Sequence, residues 1–158
     1  MQQALAHRLS EFTDPSSEAQ LRLLEEILSS VGHSACSEPE YDALLQVFER
    51  FPEHDGFGVF WSILHFLEAC PGYEAALVRS VRRKPVEFNL TMVNRLLNAG
   101  IHEVNEHPLA ALLVSAEQSG ESGERAKQLA RRFMERLAAK VGEVPNTSYM
   151  DSPQSTRN

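Results

Sequence analysis

A short stretch that occurs twice constrains this chain more than any other feature. Tyr41-Asp42-Ala43-Leu44-Leu45 runs on to Phe51-Pro52, and 32 residues later Tyr73-Glu74-Ala75-Ala76-Leu77 runs on to Lys84-Pro85. The two prolines are 33 residues apart. A period in this range is the spacing of stacked helix pairs, where each unit buries its apolar side against the next. Proteins built this way usually bind other macromolecules, so the repetition bears on function as well as on fold.

Helical periodicity dominates the rest. Leu21, Leu24, Leu28 and Val31 form one stripe of a helix from about Ser16 to Val31, after Pro15 and before Gly32. Tyr41, Leu44, Leu45 and Phe48 form the next stripe, with Ser37 and Glu40 spaced as a capping box and Pro52 closing the helix. Gly56 to Cys70 leaves almost no polar face, which predicts a core helix surrounded by others, with His65 hydrogen-bonded inside it. Pro71-Gly72 breaks it. A helix begun by Tyr73, Ala76, Leu77 and Val81 ends at Pro85, and another spans Glu87 to Ala99, with Gly100 at a left-handed C-cap and Ile101 as its apolar follower. Pro108 opens a helix through Ala116, whose Ala-Leu run is a faint third copy of the repeat. The last helix runs from Glu124 to about Val141. No segment alternates as a strand would. The expectation is an all-α domain over residues 1–141, about eight helices in antiparallel pairs stacked as an α-solenoid, with a polar, disordered tail over 142–158.

Composition sets outer bounds. No apolar run approaches the ~18 residues of a membrane span, and the N-terminus lacks a secretory pattern. Cys36 and Cys70 have no metal-type spacing and read as reduced thiols of a cytoplasmic protein, although the sequence does not exclude a disulfide. The net charge of −7 is unevenly spread. Residues 10–74 hold thirteen acids against Arg22 and Arg50, while residues 75–100 hold five bases against Glu87. An acidic half of this kind disfavours nucleic acid and favours steering of a basic partner, with ordinary solubilising charge as the plainer alternative.

Little in the chain suggests catalysis. His102-Glu103-Val104-Asn105-Glu106-His107 is close to the H-E-x-x-H zinc motif, but Glu106 stands where the second histidine is needed. His33 and Cys36 lack a second ligand pair. No nucleophile elbow, dinucleotide fingerprint or P-loop is present. Asn94 and Asn98, four residues apart on one helix, suggest a structural polar ladder or, less simply, contacts to a partner's backbone. The basic face of the last helix, from Arg125 to Lys140, suits the solvated end of a stack, and its bases have the acidic first half within reach as partners.

The stretch Leu77 to Pro85, with its basic turn ending in proline, and the helix end Asn94-Arg95-Leu96-Leu97-Asn98-Ala99-Gly100 carry a family resemblance. Together with the acidic, aromatic segment before them, they make residues 38–118 similar to the HEAT-like, all-helical immunity proteins of bacterial polymorphic-toxin and contact-dependent inhibition systems. That resemblance implies a protein that is not an enzyme, binds a cognate toxin domain and blocks it by direct contact. A basic, nuclease-type toxin would suit an acidic inhibitor, because nucleases must hold phosphates. The expected contact surface is Glu38, Glu40, Asp42, Glu49, Glu53 and Asp55, with Tyr41 and Phe57 as aromatic anchors; Tyr41 fits the core stripe equally well. No cofactor, metal, nucleic acid, membrane or small-molecule substrate is expected. The alternative is an α-solenoid adaptor without a toxin partner.

Overall fold

A computed structural model describes residues 2–32 and 36–142. Among the described residues there are eight α-helices: α1 (Gln2–Ser10), α2 (Glu18–Ser30), α3 (Glu38–Arg50), α4 (Val59–Ala69), α5 (Glu74–Arg83), α6 (Glu87–Asn98), α7 (Leu109–Gln118) and α8 (Glu124–Gly142). A 3₁₀ turn at Gly56–Gly58 leads into α4. The fold is all-α, as the periodicity requires. Gly142, expected to begin the tail, is instead the last residue of α8; the expectation for the rest of the tail lies outside the described residues, as does any ligand role of His33.

One expectation fails outright. Residues 103–108 form a minimal antiparallel hairpin, β1 (Glu103–Val104) and β2 (His107–Pro108), with Val104 opposite His107. Two consecutive left-handed residues, Asn105 (φ 48°) and Glu106 (φ 67°), turn the chain. Two-residue strands are too short for an alternation signal, and the turn uses Asn-Glu instead of the usual Asn-Gly.

Local signals explain most helix ends. At α3 the Ser37 N–H donates to Glu40 Oε2 at 2.7 Å, and the Ser37 hydroxyl bonds the same carboxylate, closing the capping box. At α6 Gly100 takes φ 86° while Ile101 N–H bonds Leu96 O and Gly100 N–H bonds Leu97 O, both at 3.0 Å. That is the Schellman arrangement, in which the two amides satisfy carbonyls left open at the helix end. The Arg50 guanidinium does the same for α1, donating to Phe12 O and Leu9 O at 2.8 and 3.0 Å, and so ties α1 to α3.

The helices contact one another in two series. α1, α3, α5 and α7 pack in succession, and so do α2, α4, α6 and α8. The core lies between the two layers and is continuous from Leu5 to Phe133. An aromatic cluster sits in it: Phe48 stacks on Phe88 at 5.0 Å, and Phe60 meets Phe12, Phe48 and Phe88 edge-on or tilted at 5.8 to 6.3 Å. The repeated Tyr-Ala-Leu words fall at the starts of α3 and α5, which are neighbours in the first series. Tyr41 is only 2% exposed. Its hydroxyl donates to Pro71 O at 2.5 Å, joining the start of α3 to the turn before α5.

α4 is not wrapped by other helices on every side. Its buried residues are Phe60, Ile63, Leu64, Phe66 and Leu67, whereas Trp61, Ser62 and His65 are exposed. His65 is therefore not a core residue; it lies on the surface beside Glu68 (Nδ1 to Oε1, 3.8 Å). Hydrophobicity alone hid this face, because its largest member is a tryptophan.

Candidate functional site

The eight residues expected to meet a partner separate into two groups. Glu38, Glu40, Tyr41, Asp42 and Glu49 belong to α3, and most of them are spent inside the molecule. Glu40 is buried in its capping box. Tyr41 is in the core. Arg79 Nη2 of α5 approaches Asp42 Oδ2 at 3.2 Å and Glu38 Oε2 at 3.8 Å. Arg83 Nε and Nη2 donate to the two oxygens of Glu49, each at 2.9 Å. The acidic first copy of the repeat and the basic second copy thus neutralise each other across the α3–α5 contact. Stacking brings the two copies face to face, so part of that charge asymmetry is satisfied internally, at Asp42 and Glu49, while the Glu38 side chain stays 64% exposed.

Behind that contact lies a buried polar chain. Ser80 Oγ donates to Glu49 Oε2 at 3.0 Å. Asn89 Nδ2 donates to Ser80 Oγ at 3.1 Å and to Lys84 O at 2.9 Å, while Asn89 Oδ1 accepts the Val86 N–H at 2.8 Å. Ser80 and Asn89 are fully buried, and every buried side-chain polar atom among the described residues has a partner. The structural asparagine is thus Asn89. Asn98 is exposed and accepts from Lys140 Nζ at 2.6 Å.

Glu53, Asp55 and Phe57 form the second group, and the structure brings them together. With His54, Trp61, Glu87, Phe88, Thr91 and Arg125 they line a cleft of about 370 Å³ where the 3₁₀ turn meets α4, α6 and the start of α8. Phe57 is 74% exposed and Trp61 41%. Both point from one face, four residues apart. Trp61 is held by an edge-to-face contact with Phe88 at 5.3 Å, which roots it in the core cluster.

The backbone at Phe57 is unusual. Gly56, Phe57 and Gly58 have φ values of 60°, 50° and 91°, three left-handed residues in a row. A Cβ at Gly56 would lie 2.6 Å from Phe60 Cδ1, so only glycine fits. At Phe57 the same conformation costs a non-glycine residue about 1–2 kcal/mol. Two side chains hold it: Asp55 Oδ1 accepts the Phe57 N–H at 2.9 Å, and His54 Nδ1 accepts the Gly56 N–H at 2.8 Å. With Nδ1 accepting, the His54 proton sits on Nε2, 3.3 Å from Ser16 Oγ. The His54 ring also meets Phe57 edge-on at 5.5 Å. The result is a large apolar ring fixed in water by strained backbone.

Among the described ion pairs none involves Glu53 or Asp55, whereas Glu87 Oε1 accepts from Arg125 Nη2 at 2.9 Å. The cleft therefore offers two carboxylates without a described ion pair, Glu53 and Asp55, the latter with Oδ1 already bonded to the Phe57 N–H, beside two aromatic rings. Sequence reasoning missed Trp61 and Glu87. Within α4 the i, i+4 pair Trp61 and His65 could have revealed the exposed face.

The histidine string is not assembled as a metal centre. His102 and His107 are exposed, and His107 Nδ1 lies 3.3 Å from Arg82 Nη2, a cation where an ion would compete. Among the described residues no group of three or more His, Cys, Asp or Glu is placed to hold a metal ion, and no helix is long and apolar enough to cross a membrane. The basic side chains of α8 pair locally, Arg125 with Glu87 and Arg131 with Glu117, instead of with the acidic first half. No protein-family model, curated protein or solved structure matches the chain significantly.

Proposed function

We propose that this chain is a non-catalytic, cytoplasmic binder that neutralises a basic toxin domain by direct protein–protein contact, as in the immunity proteins it resembles. Its contact surface is the cleft of Phe57 and Trp61 with Glu53 and Asp55. The observation that carries this reading is Phe57: exposed, aromatic and held in an unfavourable backbone conformation beside carboxylates that have no ion pair among the described residues. An exposed ring fixed by strain serves no packing purpose, and strain of this kind is retained where function requires it. Aromatic anchors of this type dominate interface energies, and the acids around them supply steering.

Co-expression tests the reading. The chain should rescue growth of cells expressing the toxin domain encoded beside it and should co-purify with that domain. Phe57→Gly combined with Glu53→Gln should abolish rescue while the protein stays folded. Absence of both rescue and complex would refute the proposal. The second reading, an α-solenoid adaptor, draws on the successive contacts within the odd and the even helices. It predicts capture of a cellular assembly, with no effect of the neighbouring gene.

A further inference from the structure

We infer that the cleft takes one arginine side chain from its partner, with the guanidinium lying against the Phe57 and Trp61 rings and donating to Glu53 and Asp55. This rests on the reading of the cleft as the partner surface and names the group that enters it. Three observations carry it. First, the lining combines two exposed aromatic faces with carboxylates that have no ion-pair partner among the described residues. Aromatic faces attract a cation, and a planar guanidinium can stack on a ring while its edge donates two hydrogen bonds to a carboxylate, a geometry that an ammonium matches less well. Second, the opposite wall already holds this interaction: Arg125 Nη2 sits on Glu87 Oε1 at 2.9 Å, on a side chain still 65% exposed. Third, elsewhere the fold places a guanidinium over a ring, Arg50 over Phe51 at 5.3 Å, while its N–H groups bond carbonyls. The cleft's volume of about 370 Å³ suits one side chain and no folded element.

Trp61 is the chain's single tryptophan, so its fluorescence reports this cleft and nothing else. The probe is a blocked Gly-Arg-Gly peptide titrated into the full chain at low salt, with Gly-Lys-Gly and Gly-citrulline-Gly peptides as comparisons. The expected result is saturable binding of the arginine peptide with a dissociation constant on the order of 1 mM. The lysine peptide should bind roughly three-fold more weakly or worse, and the citrulline peptide should not bind. Phe57→Ala and Glu53→Gln should each weaken the arginine peptide by roughly three- to ten-fold. Arg125→Ala should tighten it, because it removes the resident cation and frees Glu87, a direction that misfolding could not produce. Equal binding of arginine and lysine, or no effect of Arg125→Ala, would overturn the assignment. If the peptide fails while Phe57→Gly still abolishes toxin neutralisation, the arginine pocket falls and the proposed function stands. If the peptide binds but no toxin is neutralised, the pocket stands and the function falls.

Discussion

Replacing Asn89 by alanine tests the buried polar chain that joins α3, α5 and α6. The side chain is fully buried and makes three hydrogen bonds, two as donor and one as acceptor. Its loss strands the buried Val86 N–H at the start of α6, which costs about 1–3 kcal/mol. Ser80 Oγ keeps its bond to Glu49, and Lys84 O can turn towards water, so these two losses together add about 1 kcal/mol. Alanine returns about 0.5 kcal/mol of helix propensity. The net expectation is a destabilisation of about 1.5–3.5 kcal/mol, or a fall in Tm of roughly 3–14 °C for a chain of this size. Urea titration and calorimetry measure both. Asn94→Ala, half-exposed on the same helix, is the control and should stay within about 0.5 kcal/mol. If Asn89→Ala costs no more than Asn94→Ala, the reasoning that the polar chain specifies the packing of these helices is wrong.

Phe57→Gly should raise stability by about 0.5–1 kcal/mol in urea unfolding, because glycine accepts the left-handed backbone; a clear loss would show that the ring supports the fold. Burial alone would raise the Glu40 carboxyl, but the Ser37 hydrogen bonds outweigh it and hold it below its ordinary value. A depressed folded pKa gives stability that is present above the unfolded value and lost as pH falls through the folded one. Stability should therefore fall less steeply below about pH 4.5 in Glu40→Gln than in the parent, and identical slopes would contradict the capping role. Burial first, and then the neighbouring Cys70, push the Cys36 thiol up to about 12, and burial also raises Cys70. At pH 8 a disulfide reagent should label buried Cys70, and to a lesser degree half-buried Cys36, more slowly in the folded than in the denatured chain, and equal rates at Cys70 would refute its burial as a thiol.

The sequence was most readable where one residue type has one local use. Ser37 with Glu40, and Gly100 with Ile101, announced helix ends because capping chemistry is short-range and does not depend on the rest of the fold. The tyrosine echo located α3 and α5 for the same kind of reason, since both helices meet equivalent neighbours. α1 was not placed: it has only Leu5 and Leu9 as an apolar pair within its nine residues, with Phe12 just beyond, too short a stripe to stand out. The charge asymmetry misled because sequence shows sign but not distance. Arg79 lies 37 residues from Asp42 and Arg83 lies 34 from Glu49, yet they face them across the stack. Phe57 was named as an aromatic anchor only through the resemblance; its left-handed backbone between two glycines is a finding of the structure. Trp61 was assigned to the core because hydrophobicity cannot tell an exposed ring from a buried one; only its placement over Phe88 and beside the 3₁₀ turn does.

The central claim is that the Phe57 cleft exists to be occupied by a toxin domain. Calorimetric titration of the candidate toxin domain, the product of a neighbouring gene that the proposal requires, against the parent and against Phe57→Gly, tests it most directly. The account predicts a tight complex with the parent and at least a ~30-fold weaker one with Phe57→Gly, a loss of about 2 kcal/mol, at an unfolding temperature no lower than the parent's. Equal affinities for the two proteins, or no complex with the parent, would contradict it.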